Sequence, residues 1–565
     1  ALYRRGGPSS SNRALSAVAV DPSGDYVAAV LRGEQQGSAD DFWYSAARLK
    51  TLVAASSLPS AELGKQLFVG GGYLGLFDGM YQDAGFLRNP ENLTSPATRT
   101  TGGSMTDGTY GYRAVYEWID RNGRVYRSAP SLALVVALTG GTSTQEVDIH
   151  VPVLSHAEYF KSRDADSLRV VLYRTAAGGT IYYRLYGYEA TNDPTALYVT
   201  ITDDNDDATI AEYETLYTTA GLLENAVPSC PYLLASGKNR LWAVPGDDRT
   251  AVWFSHEFIP GLGAEFAESS IKRVAQGGPI TAIAPLDDAM VVFKRDEIRY
   301  FSGAGPNAQG AGLFSEDRRA TSDVGCIDRR SVAEIPQGLI FQSVKGIVLL
   351  SRSLEVAHVG KRVENYTNGA TVLSTVLLAA QEQVRFALDT GVVLAWDYHH
   401  DAWYAWTNHP VVDAVDLGGD YHYVDADGRL FREDSASWLE YVGATPAQGI
   451  DAVVETAWIK LAGLTGYQRL FWMYLLGEYK SPHTLTVSVY YDYSDTVAET
   501  AQYTLSAADT PYLLRFKPAV QRCTAIKFRF SDSARSGSQE SLEMHAIRLL
   551  YGTLPKTPVA AAKTL

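Results

Sequence analysis

At 565 residues the chain exceeds what one hydrophobic core usually supports, so roughly two to four domains are expected, although a β-propeller can take several hundred residues as one unit. Hydrophobic content of 46% and charged content of 20% are those of a folded globular chain. The net charge of −15 excludes a protein that grips nucleic acid through counterion release, which needs a Lys/Arg-rich surface, but not a surface that DNA must pass without sticking.

An aromatic share of 11%, with 35 Tyr and 10 Trp against 5 Met and with 49 Gly, favours short strands and tight turns over helices, so an all-β chain is expected. Cys230, Cys326 and Cys523 are odd in number and far apart. They form neither a disulfide framework nor a Cys-x-x-Cys clip and are expected to be buried thiols. "ALYRRGGPSSSNRAL" has no apolar leader-like stretch and no window approaches a membrane span, which predicts a soluble product of a reducing cytoplasm.

In chain order, residues 1–96 contain blade-like material in "ALSAVAVDPSGDYVAAV" from Ala14 and "GKQLFVGGGYLGLFDGMYQDAGF" from Gly64, the N-terminal part of a β-propeller. Residues 97–228 change character. "YGYRAVYEWIDRNGRVYRSAPS" is a hairpin turning at Asn122-Gly123, "SLRVVLYRTAAGGTIYYRLYGYEA" is another around Gly178-Gly179, and with "ALYVTITDD" they outline an inserted β-sandwich of fibronectin III size. The Gly/Thr-rich "SPATRTTGGSMTDGT" reads as its entry linker.

Residues 229–448 hold five segments of one form, strand, tight turn, strand and polar link, starting at Asn239, Ile280, Ser331, Val384 and Ala414. Spacing of roughly 30 to 50 residues is near the period of propeller blades. The turns "VKG", "DTG", "GGD" and "DADG" supply Gly or Asp where a hairpin needs positive φ. With one or two blades from the N-terminus they make a propeller of six or seven. Residues 449–553, with the alternating "HTLTVSVYYDYSD" and "CTAIKFRFSDS", predict a C-terminal, platform-like β-sandwich, and 554–565 a tail arm.

Several clusters could carry chemistry. In "VLAWDYHHDAWYAW", Asp397, His399, His400 and Asp401 resemble a metal site, but adjacent histidines on a strand point to opposite faces, so a hairpin with a solvated turn is expected. "DDNDDATIAEYE" puts Asp203, Asn205, Asp207 and Glu214 at positions 1, 3, 5 and 12 of a calcium loop, but Ala208 stands where the turn needs Gly. An acidic loop entering a helical turn is the expectation. The pairs Asp247-Asp248 and Asp287-Asp288 could serve a glycosidase, but each sits at a predicted hairpin turn. No Gly-x-Ser-x-Gly, His-Glu-x-x-His or phosphate loop occurs. No catalytic, cofactor or metal residue is therefore assigned and the chain is not expected to be an enzyme.

Three passages carry a family resemblance: "YGYRAVYEWIDRNGRVYRSAPS", "AEYETLYTTAGLLENAVPSCPYLLASGKNRLWAV" and "DRRATSDVGCIDRRSVAEIPQGLIFQSVKGIVLLSR". With "YQRLFWMYLLGEYKSPHTLTVSVYYDY" they make residues of about 100 to 550 similar to the tail nozzle proteins, or tail tubular proteins B, of short-tailed bacteriophages. The resemblance implies a virion structural protein, made in the bacterial host cytoplasm and placed in the phage tail. It would form a ring of identical subunits, a homohexamer, below the portal and adaptor and beside tail fibres or spikes. Double-stranded DNA would pass through it without specific binding, and the ring would gate genome release. Six copies at −15 each would let phosphates slide along the channel wall. Two other classes stay open: a receptor- or glycan-binding propeller with Trp403, Trp406 and Tyr421 in an exposed aromatic pocket, and a carbohydrate-active propeller enzyme.

Overall fold

The computed structural model describes residues 58–433 and 451–555, except 78–80, 121, 142, 155–167, 464–465, 507–511, 521 and 534–540; of 1–57 and 434–450 it gives only backbone strands. Two compact units emerge, Ala1–Arg432 and Glu433–Leu565.

The first unit is a β-propeller with a β-sandwich inserted in it. Seven antiparallel meanders follow one another as blade 1 (3–54), blade 2 (60–83), blade 3 (231–273), blade 4 (280–321), blade 5 (333–358), blade 6 (372–406) and blade 7 (411–432). Six have four strands and blade 7 has three. In each the first strand is innermost: Pro231–Gly237 lies beside Ser60–Leu63 and Ile280–Leu286, and Val372–Leu378 beside Val411–Leu417. Tyr3–Arg4 and Ala14–Val20 lie beside Val411–Leu417 and Asp420–Asp425, which brings blade 1 against blade 7.

The sequence pattern follows from this stacking. Second strands are covered on both faces by neighbouring sheets, so Arg240–Pro245 and Gly338–Ser343 are buried at every residue and read as continuous runs rather than alternations. First strands border the axis with one face, and Val372–Leu378 alternates accordingly. The turns are as the sequence predicts: Gly346, Gly391 and Gly428 have positive φ, 97°, 74° and 76°, and so do Gly418 and Gly419, at 73° and 95°.

Apolar side chains fill the space between successive blades. Trp242, Phe254, Phe301 and Phe314 cluster between blades 3 and 4 with ring centroids 5.0–5.8 Å apart, and Phe293 meets Phe341 at 4.9 Å between blades 4 and 5. Each such burial stabilises by about 1.5–3 kcal/mol.

The insertion pairs Thr94–Arg99, Glu146–Pro152 and Tyr198–Asp203 in one sheet, and builds the other around Gly108–Ile119 and Leu168–Thr175. Thr94–Arg99 corrects the linker reading of this stretch. It is a strand because it pairs antiparallel with Glu146–Pro152, whose Glu146 and Asp148 also hold Arg99, the latter at 2.5 Å. The insertion shares one apolar core with blades 2 and 3, in which Tyr112 and Trp118 join Phe68, Leu241 and Phe266. Val125 N–H donates to Gly261 O at 3.0 Å and Tyr126 Oη to Gln66 Oε1 at 3.0 Å, while a Cβ on Gly263 would lie 2.0 Å from the Tyr126 ring. Sandwich and blades therefore form one body.

The second unit packs the sheet of Ala452–Glu455, Ile526–Ser533, His483–Tyr491 and Glu499–Leu505 on the sheet of Tyr512–Phe516, Gly466–Tyr479 and Leu542–Pro555. Met473, Leu475, Val487 and Phe528 lie in its core. Cys326 and Cys523 are buried as expected, but Cys230 is exposed: it occupies the bend before Pro231 with φ 40°, so its side chain cannot reach the blade interior. Among the described residues no helix is long and apolar enough to cross a membrane.

Candidate functional site

The acidic stretch from Asp203 to Glu214 is where the sequence comes nearest to a metal site. Asp203 ends a strand of the insertion, and Asp207–Ile210 form one helical turn capped by Asp206, whose side chain accepts from Thr209 N–H at 2.7 Å. The would-be ligands face a guanidinium. Arg174, fully buried on the neighbouring sheet, donates to Asp203 Oδ2 at 3.1 Å, to Asn205 O at 3.0 Å and to Asp207 Oδ1 at 2.9 Å. Tyr112 Oη donates to Asp203 Oδ2 at 2.8 Å, and burial followed by the charge of Asp203 pushes the Tyr112 hydroxyl well above its usual range. Glu214, at the twelfth position, turns away to Arg127 at 3.1 Å. The loop is a cage for an internal cation and offers calcium no free ligand set.

A second buried network lies nearby. Arg184 grips Glu117 bidentately at 2.9 and 3.0 Å, and Arg127 adds a contact at 3.1 Å. Burial opposes ionisation of Glu117, but Arg184 and Arg127 outweigh it and hold its carboxyl below the ordinary range. Glu265 meets the opposite fate at the seam between insertion and blade 3: desolvation lifts its carboxyl to about 7, although Arg127 N–H donates to it at 3.2 Å.

The remaining candidates resolve as structural. Val393–Asp397 pairs with Ala402–Trp406, and Asp397 Oδ1 accepts the N–H groups of His399 and His400 at 3.0 and 2.8 Å, so "YHHD" is the exposed turn of a hairpin. The Trp403 ring stacks on Trp396 and its Nε1 donates to Val359 O at 3.1 Å, while Arg385 lies between the rings of Trp406 and Tyr421 at 4.7 and 4.6 Å. These aromatics pack against the blade cores.

Asp288 holds Lys238 at 2.7 Å and Asp287 holds Arg352, so the turn of blade 4 is tied to blades 3 and 5. Asp248 caps Thr250 and pairs with Arg273. Among the described residues the one group with metal-ligand spacing is Glu478, Glu543 and His545, and Lys480 Nζ already sits in it at 3.1 and 3.3 Å from the two carboxylates.

A cavity of about 360 Å³ lies among the inner strands of blades 2 to 5, lined by Ser60, Leu234, Ser236, Pro285, Glu334 and by Arg329 from the turn before blade 5.

No family model matches the chain, and no curated protein matches it. Many solved structures are similar to it, two of them as follows. A chain in "Crystal Structure of Mitotic Checkpoint Complex" is 11% identical, covering 62% of this chain and 96% of that one with a TM-score of 0.25. "Crystal structure of WD40 beta propeller domain of Doa1" is also 11% identical, covering 61% of this chain and 98% of that one with a TM-score of 0.23. The propeller is established by the sheets above, and similarity at these levels carries nothing about function.

Proposed function

We propose that this chain is a structural subunit of the tail nozzle of a short-tailed phage, one of several copies that together enclose the path of the ejected genome. The observation that carries the reading is the order propeller, inserted sandwich, propeller, terminal sandwich, in which the clusters that could have been catalytic are occupied by internal ion pairs. The most specific of the resembling passages, "SDVGCIDRRSVAEIPQGLIFQ", is a joint: Cys326 is buried, its N–H donates to Lys294 O of blade 4 at 2.8 Å, and Ser331 Oγ accepts from Gln342 N of blade 5 at 3.1 Å. A passage that joins two blades suits a scaffold.

The reading places the chain below portal and adaptor, with fibres or spikes attached and loops of the propeller narrowing the passage until ejection. Its test is genetic and structural. Particles assembled without this chain are expected to package DNA and fail to retain or deliver it, and normal delivery by such particles would contradict the proposal. Specific retention of one sugar on a glycan array by the purified chain, with no ring formed, would favour the receptor-binding propeller instead.

A further inference from the structure

Charge is shared unevenly along the chain. Residues 433–565 carry 12 Lys/Arg against 13 Asp/Glu, net −1, which leaves 37 against 51, net −14, to residues 1–432. Within the terminal unit, cations gather on the outward face of the sheet formed by Tyr512–Phe516, Gly466–Tyr479 and Leu542–Pro555. The register puts Arg515, Tyr474 and Arg548 in one cross-strand row. Arg515 and Lys517 both lie over the Trp472 ring, at 5.3 and 5.8 Å, and Arg469 lies over Phe471 at 4.9 Å.

All four cations are exposed. The described ion pairs of this unit involve Lys480, Lys527, Arg529 and His545 instead, so the aromatic rings hold these cations in place without neutralising them. Between them stand exposed aliphatics, with Leu513 63%, Leu550 46% and Leu476 40% accessible. Leu542–Pro555 is moreover an edge strand of 14 residues. A long apolar edge is a site for association with another chain.

We propose that this face docks the acidic unit, residues 1–432, of a second copy of the chain. The leucines argue for a protein surface rather than a polyanion, because aliphatic side chains gain little against sugars or phosphates and much in a desolvated protein contact. The sign of the charge selects the partner: the chain's own first unit carries nearly all of its negative charge. Because the two surfaces differ, the contact is head-to-tail, the kind that closes a ring or grows a filament. The inference rests on the reading of the chain as one of several assembled copies and names the surface through which they meet.

The test uses the full-length chain. An equal mixture of ¹⁴N- and ¹⁵N-labelled protein is treated with a zero-length carbodiimide, which joins Lys to Asp or Glu only in direct contact. Lys517 is expected to give mixed-isotope cross-links to carboxylates of residues 1–432. In R515E/R548E, self-association measured by sedimentation is expected to weaken at least about tenfold, and wild-type association to weaken with salt. The milder R515Q/R548Q, with a melting curve like wild type, is expected to fall between.

Cross-links from Lys517 confined to single copies would overturn the inference. Assembly unchanged in R515E/R548E would do the same while leaving the ring reading standing. Filaments held through Lys517 would support the contact and count against the ring. A chain that stays monomeric but binds oligo(dT) or heparin, losing it in R515E/R548E, would assign the face to a polyanion and overturn the proposal.

Discussion

The inserted sandwich and the terminal sandwich both set arginines against aromatic rings, and they do opposite things with the charge. Arg174 lies 5.1 Å from the Tyr110 ring and Arg184 the same distance from Tyr186, yet both are buried and each is neutralised by carboxylates. Arg515 has the Trp472 ring at 5.3 Å, lies exposed and keeps its charge. Burial makes an unpaired charge prohibitively unfavourable, so the insertion had to supply Asp203, Asp207 and Glu117, whereas solvent leaves the charge of the terminal face available to a partner. Cations of the first kind hold the fold, and those of the second kind recognise.

The largest expected effect breaks the first kind. Arg174→Ala would leave Asp203 buried without its partner and is expected to destabilise the first unit by about 3–5 kcal/mol, read as a lower urea midpoint and lost hydrogen-exchange protection in Leu168–Thr175. A loss below about 1 kcal/mol would show that the cage is not structural.

Next comes pH. The folded-state pKa of Glu265 is raised to about 7, so its contribution to stability is fully present below the ordinary carboxylate range near 4.5 and is lost as pH rises through 7. Glu117 is depressed, so its contribution is present above about 4.5 and is lost in acid. On these two groups the first unit should be most stable near pH 4.5, where both contributions are present, and Glu265→Gln should flatten the fall on the alkaline side in melting curves taken from pH 5 to 8.

A smaller effect sharpens the contrast with the terminal face: Arg515→Gln should change stability by only about 0.5–1 kcal/mol, the worth of an exposed cation–π contact. Smallest of all, millimolar Ca²⁺ should leave the melting temperature unchanged, because Arg174 already occupies the acidic loop. A calcium-dependent rise of several degrees would restore the loop as a metal site.

Much of the fold was legible from residues alone, for physical reasons. Second strands such as "RLWAVP" and "GLIFQS" read as unbroken apolar runs because sheets cover both faces, and the turns "DTG" and "GGD" carry glycines at positive φ. The "YHHD" turn was decided by alternation, since neighbouring side chains on a strand cannot converge on one ion.

What escaped depends on contacts distant in sequence. Thr94–Arg99 has no apolar period and becomes a strand only through Glu146–Pro152. The acidic loop looked open because Arg174 reaches it from another strand, 29 residues before Asp203. The basic face was hidden in "YQRLFWMYLL", where both alternating sets are apolar or aromatic enough to be the buried one. Only the register to Arg515 and Arg548 tells which set faces out.

The central claim is the proposal that copies of this chain assemble around the path of the ejected genome. The most direct measurement is the mass and symmetry of the purified full-length chain by light scattering and single-particle imaging, alone and with virion extract. The account predicts closed rings with a central opening wide enough for a DNA duplex. A chain that stays monomeric at every concentration, and with every tail component added, would contradict it.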